Sequence, residues 1–195
     1  DSADAILFSF YSGLEGGNAL ADVLSGDVNP GGKLPFTIAN DAEDYPSFLR
    51  IEDSTREIDY SYYHGYTLFD KKGVEPQFPF GYGLSYTDFE LQNMKVSQTE
   101  NAIEVSAEIK NIGSVDGDEV MQIYVSSENS GQDRPVKLLK GFKRVSVKAG
   151  EIVSAKVEID LEDIKFYNAE KGEWELDNSY TILAGTNSKN VKAVG

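Results

Sequence analysis

Ala102-Ile103-Glu104-Val105-Ser106-Ala107-Glu108-Ile109-Lys110-Asn111 alternates apolar and polar residues without a break. Successive side chains of an extended chain point to opposite faces. Ile103, Val105, Ala107 and Ile109 therefore share one side, and Glu104, Ser106, Glu108 and Lys110 the other. A helix would scatter both sets around its axis, so the period of two predicts a half-buried strand. Working outward, further strands are expected at Phe89–Val96, Glu119–Val125, Lys137–Val147, Ile152–Ile159, Trp174–Leu176 and Tyr180–Ala184. Turn signals separate them at Gly113-Ser114-Val115-Asp116-Gly117-Asp118 and Lys148-Ala149-Gly150-Glu151. Short antiparallel strands spaced by turns over residues 86–195 predict a β-sandwich of the immunoglobulin class.

Upstream of residue 86 the pattern changes, and five of the six prolines lie there. Ala5-Ile6-Leu7-Phe8-Ser9-Phe10-Tyr11 is a nearly continuous apolar run, which predicts a strand buried on both faces. After the turn Gly13-Leu14-Glu15-Gly16-Gly17, Asn18 is the expected cap of a helix through Leu24, with Gly26 just beyond its end. The turn Asn29-Pro30-Gly31-Gly32 leads into an extended stretch over Lys33–Ile38. Strand, helix, strand is α/β order, but one helix and one strand cannot cover a parallel sheet, so residues 1–40 read as the end of a larger α/β domain. Residues 41–85 read as an aromatic-rich linker pinned by Tyr60, Tyr62, Tyr63, Tyr66, Phe69, Phe78, Phe80 and Tyr82. The fold expected is thus mainly β, with an α/β piece at 1–40, a linker at 41–85 and the sandwich at 86–195.

Composition narrows the chemistry. Across 195 residues, 33 acidic against 18 basic side chains give a formal charge of −15, spread over both segments. Nucleic-acid binding needs clustered Lys and Arg, and an anionic membrane surface needs the same, so neither is an expected partner. No apolar run is long enough to span a bilayer. With no cysteine and one histidine, thiolate chemistry, disulfides and multi-histidine metal sites are excluded, leaving carboxylates, tyrosines and lysines. Absent cysteines suit a reducing cytoplasm and are found in periplasmic and secreted proteins too. The first residues, Asp1-Ser2-Ala3-Asp4, carry no basic leader, and the chain reads as an excised piece.

Four groups invite a chemical reading. Gly13-x-x-Gly16-Gly17 before a helix fits neither dinucleotide nor P-loop spacing, and Glu15 would repel an anion, so a tight connection is expected. Glycoside hydrolysis needs two carboxyl groups, and Glu15, Asp22, Glu57, Asp59, Asp118 and Glu119 are candidates that an acidic surface supplies anyway. Asp116-Gly117-Asp118-Glu119 lacks the ligand spacing of a calcium loop and reads as a turn. His64, between Tyr63 and Gly65, is expected as a packed, hydrogen-bonded residue. The aromatic stretch around it either fills a domain seam or stacks on sugar rings.

Gly13 through Thr37 resembles a signature of the second domain of glycoside hydrolase family 3, which includes many β-glucosidases. Gly65-Tyr66-Thr67-Leu68-Phe69-Asp70 and Phe78-Pro79-Phe80-Gly81-Tyr82-Gly83-Leu84-Ser85-Tyr86-Thr87 resemble that family's link into its third domain. Residues 86–195, with Asn111-Ile112-Gly113, Glu119-Val120, Pro135 through Phe142 and Trp174, resemble its fibronectin type III-like domain. The resemblance implies a retaining β-glycosidase acting on β-glucosides or related oligosaccharides through a covalent glycosyl-enzyme. Its nucleophilic aspartate would lie on a barrel domain and its acid/base glutamate upstream of the glycine-rich turn. Neither maps onto this chain, so no catalytic, cofactor-binding or metal-binding residue is assigned, no cofactor is expected, and the chain is expected to be a scaffold. The barrel and α/β domains of the same enzyme are the implied partners. The alternative is a non-catalytic carbohydrate-binding or adhesion sandwich. A strand at Ala5–Tyr11 without neighbours would expose apolar edges, so self-association, strand exchange or disorder before about Asn40 is also expected.

Overall fold

A computed structural model describes residues 3–45, 61–127 and 133–194. The strands in chain order are β1 (Phe89–Gln98), β2 (Ala102–Asn111), β3 (Gly117–Ser127), β4 (Leu138–Val147), β5 (Ile152–Asp160), β6 (Phe166–Asn168), β7 (Glu173–Glu175), β8 (Tyr180–Gly185) and β9 (Val191–Ala193). One sheet has the order β1-β2-β5 and the other β4-β3-β8-β9, every pairing antiparallel, and β6-β7 forms a separate hairpin. The chain changes sheet between β2 and β3 and again between β4 and β5, which makes this an immunoglobulin/fibronectin type III-like sandwich.

The alternation in β2 holds along its length: Ile103, Val105, Ala107 and Ile109 are buried and the residues between them half-exposed. They meet Met121, Ile123 and Val125 of β3, Val147 of β4, Ala155, Val157 and Ile159 of β5, and Ile182 and Ala184 of β8 in one core. Burying each such aliphatic side chain contributes about 2 kcal/mol, and this core is what sets the register of the two sheets. The last inward position of β2 is Asn111, fully buried yet polar. Its amide donates to the carbonyls of Val115 (2.8 Å) and Val147 (3.0 Å), and its oxygen accepts from Thr87 Oγ1 (2.6 Å) and Gly113 N (3.1 Å). With every valence met, this side chain ties the β2–β3 turn to two strands.

The seven strands expected from the pattern are present, with ends shifted by up to two residues. β6 and β9 were not expected, since three residues are too few to carry a period. Upstream, α1 (Gly16–Ser25) begins earlier than expected. Glu15 stands at the cap position, and Asn18 lies inside the helix, donating to Glu15 Oε2 at 2.6 Å. Gly26 ends it in the left-handed conformation, φ 86°, as the sequence predicts. Ala5–Tyr11 is a correction: it pairs with no strand among the described residues, and Ile6, Leu7, Phe8, Phe10 and Tyr11 are exposed. A strand buried on both faces needs neighbours on both edges, and none is within reach here. The linker also holds more order than expected, with α2 at Gly65–Lys72. Lys33–Ile38 is extended and hydrogen-bonds antiparallel to residues 78–82, through Ile38 with Phe78 in both directions and Leu34 with Gly81 and Tyr82.

Candidate functional site

The side chains that could do chemistry gather where residues 29–39 and 61–86 meet the sandwich. β3 explains why. Met121, Ile123 and Val125 point into the core, and by strand alternation Gln122 and Tyr124 point away from it, yet both are buried. The outer face of β3 is therefore covered as well, whereas Phe142, opposite Gln122 on β4, is exposed. Tyr124 Oη donates to Gln122 Oε1 (2.7 Å), and Gln122 Nε2 donates to the carbonyls of Gly81 (3.2 Å) and Thr186 (2.6 Å). Tyr66 packs against Phe80 and Tyr124, with ring centroids 5.1 and 5.9 Å apart, and its hydroxyl accepts from Leu139 N at 2.9 Å. Burial pushes the Tyr124 hydroxyl far above the ordinary tyrosine range, with Tyr66 and Asp70 adding to the effect. The Tyr66 hydroxyl is raised too, again chiefly by burial. Both phenols stay neutral and serve as hydrogen-bonding spacers.

Two lysine–carboxylate pairs cross the same boundary. Lys33 Nζ lies 2.7 Å from Glu119 Oε1, with side chains 13% and 9% exposed. Lys137 pairs with Asp70, and these side chains are 8% and 7% exposed. Lys189 approaches the same Asp70 at 3.8 Å and Glu75 at 2.9 Å. A groove of about 440 Å³ opens beside the Lys33–Glu119 pair, lined also by Ser85, Asp88, Asn187 and Lys192.

The candidate carboxylates are scattered across this architecture. Glu15 and Asp22 are exposed at the cap and on the surface of α1. Asp118 is committed to Arg144, and a hydrogen bond from Ser146 together with that guanidinium holds its carboxyl below the usual aspartate value. Glu119 is committed to Lys33 and to the amide of Val120. Glu57 and Asp59 lie outside the described residues, as does Tyr60.

Asp116 closes its turn by accepting from Ala149 N at 2.8 Å, and among the described residues no cluster of acidic or histidine ligands could hold a metal ion. His64 is a correction: it is exposed, not packed. It stands at the N-cap of α2, where its amide donates to Thr67 Oγ1 at 3.3 Å. The aromatics at Tyr66, Phe69 and Phe80 fill the boundary, as the seam reading expects. The sequence reading missed the ion pairs, whose signal was present only as unremarked Asp70, Lys137 and Lys33.

A fibronectin type III-like sandwich whose β3 is covered on its outer side by the residues that precede it is the class of protein that this fold and boundary define. The glycosyl hydrolase family 3 C-terminal domain matches residues 1–86, and a fibronectin type III-like domain matches residues 119–188. The chain belongs to glycosyl hydrolase family 3. It is 39% identical to a beta-glucosidase of Kluyveromyces marxianus over all of this chain and 24% of that protein. It is 37% identical to the thermostable beta-glucosidase B of Acetivibrio thermocellus, over 98% of this chain and 26% of that one. In structure it is similar to beta-glucosidase 3B of Thermotoga neapolitana in complex with glucose. There the TM-score is 0.83 at 36% identity, over 93% of this chain and 27% of that one. The chain thus spans about a quarter of the length of these relatives.

Proposed function

We propose that this chain is the scaffolding end of a retaining β-glucosidase-type glycoside hydrolase whose substrate is a small β-glucoside or oligosaccharide. The observation that carries the reading is similarity along the whole chain to beta-glucosidases four times its length. The nucleophile and the acid/base belong, in this reading, to barrel and α/β domains that these 195 residues do not include. The described candidate carboxylates agree with it: Glu15 and Asp22 are exposed, and Asp118 and Glu119 are held in ion pairs. The chain's own work is mechanical: the sandwich and the residues that cover β3 hold the α/β end at 3–28 in place for those domains.

The same reading assigns the apolar surface at 3–28 to the remainder of the enzyme. Ile6, Phe8, Phe10, Tyr11, Leu14, Leu24 and Val28 are all at least half exposed. In the isolated chain this surface drives self-association, since contiguous apolar area is withdrawn from water wherever a second copy can cover it.

The test is hydrolysis of an aryl β-glucoside. The isolated chain is expected to give no turnover above buffer. The same chain joined to the first three quarters of the Kluyveromyces marxianus relative is expected to give turnover. Enzyme-like rates from the 195 residues alone would overturn the proposal.

A further inference from the structure

Residues 29–39 fall in the expected α/β end and residues 65–85 in the expected linker, but together their contacts are those of a core. Leu34 and Ile38 are tied to residues 78–82 by four main-chain hydrogen bonds of 2.7–3.1 Å, so the two stretches form one ribbon. That ribbon is fastened to the sandwich along its length. Asn29 Nδ2 donates to the Asp116 carbonyl (2.9 Å), Lys33 pairs with Glu119, and Gln122 reaches Gly81. Ser188 N donates to the Phe80 carbonyl (2.9 Å), and Asp70 pairs with Lys137. These anchors fall on the β2–β3 turn, on β3, on the segment entering β4 and on the β8–β9 turn, so the ribbon reaches three strands of one sheet.

Fit is tight as well as polar. A Cβ on Gly83 would sit 2.2 Å from the Gly32 carbonyl oxygen, and one on Gly117 would sit 2.6 Å from Asn29 Nδ2.

We propose that residues 29–39 and 65–85 are an intramolecular strap: a conformational device that covers the outer face of β3 and fixes the direction in which α1 and the chain before it leave the sandwich. The cooperative unit then begins near Asn29, not at residue 86. Any load placed on residues 3–28 is delivered to the sandwich through the strap, without a flexible joint. The two buried ion pairs are the locking points. A buried lysine has no water to fall back on, so removing its carboxylate costs far more than the pair itself contributes. The inference concerns this chain alone and does not depend on the activity proposed above.

Hydrogen exchange on the full 195-residue chain, read by mass spectrometry, tests it. In the wild-type chain the amides of Leu34, Ile38, Phe78 and Gly81 are expected to exchange together with those of β3 and β8, while Ala5–Leu14 exchange without protection. Asp70→Asn is expected to speed strap exchange by roughly a hundredfold or more, up to loss of the fold, because it strands Lys137. Adding Lys137→Met to that variant is expected to bring exchange back to within about tenfold of wild type, since a well-packed apolar side chain can replace a buried ion. Three results would overturn the strap. Its amides could exchange a hundredfold faster than β3 in the wild type. Asp70→Asn could leave them protected, or the double variant could fail to recover.

Discussion

Residues 29–45, 61–127 and 133–194 hide polar groups in pairs, whereas residues 3–28 offer apolar groups to water. In the first region Gln122, Asn111 and Asp70 are buried and each has found a partner, and among its described residues Thr37 Oγ1 is the buried side-chain polar atom left without one. In the second, Tyr11 and Leu14 are as exposed as in a free peptide, at 106% and 99%. The two regions are joined through Tyr86, whose hydroxyl donates to the Val23 carbonyl at 2.7 Å, and through Phe8 and Phe10, whose rings lie 5.4 and 6.1 Å from that of Phe36. Burial and exposure are thus separated along the sequence: one region satisfies its own polar groups, and the other leaves its apolar ones uncovered.

The largest effect should come from disturbing the seam. Gly81 has φ 81°, and a Cβ there would lie 2.3 Å from Gln122 Oε1. Gly81→Ala combines left-handed strain with overpacking against a buried network and is expected to cost about 3 kcal/mol. That corresponds to a fall in Tm of roughly 6–12 °C. Gly17→Ala, in α1 with nothing within 4 Å of the new Cβ, should leave Tm unchanged or slightly raised. Equal effects from the two substitutions would erase the contrast between the regions.

The sandwich was legible because its information is local. A period of two in Ala102–Asn111, and turn residues after it, need no knowledge of any partner. The covered outer side of β3 was half legible: apart from Gln122, Val120 through Val125 is too apolar for a strand wet on one side, and the covering layer was the missing explanation. The ion pairs were not legible, because Lys33 and Glu119 are far apart in sequence and lysine and glutamate look the same whether solvated or buried. Ala5–Tyr11 misled for the opposite reason. Its composition encodes a buried strand, but burial is a property of neighbours, and composition cannot supply them. His64 was placed in a core because tyrosines flank it, while its backbone position at a helix start keeps it in water.

A smaller effect separates surface charge from seam charge. A hydrogen bond from Ser146, and then Arg144, depresses the Asp118 carboxyl below its ordinary 3.8. A carboxylate with a depressed folded-state value adds stability above the unfolded-state value and loses it as pH falls through the folded one. Asp118→Asn should therefore flatten the acid limb of the stability curve below about pH 4 and leave neutral stability lower by less than about 1 kcal/mol, because Arg144 is 61% exposed and screened by water. Denaturant midpoints of wild type and variant, followed from about pH 6 downward, read this directly. A loss at neutral pH as large as that of Gly81→Ala would place Asp118 in the same class as the strap anchors.

The smallest effect on stability belongs to the exposed end, and it is the most telling. Tyr11→Ser with Leu14→Ser removes two large apolar side chains that touch almost nothing, so the dilute chain should keep its stability to within about 0.5 kcal/mol of wild type. The same pair should shift sedimentation of a concentrated sample toward monomer, because the apolar area available to a second copy has been cut. Dilution matters to the reading, since association stabilises by mass action and a concentrated wild type would look more stable than its fold is. A loss of more than about 1 kcal/mol at high dilution would mean that Tyr11 and Leu14 pack within their own chain. An unchanged sedimentation profile would mean that the exposed surface is not what brings copies together.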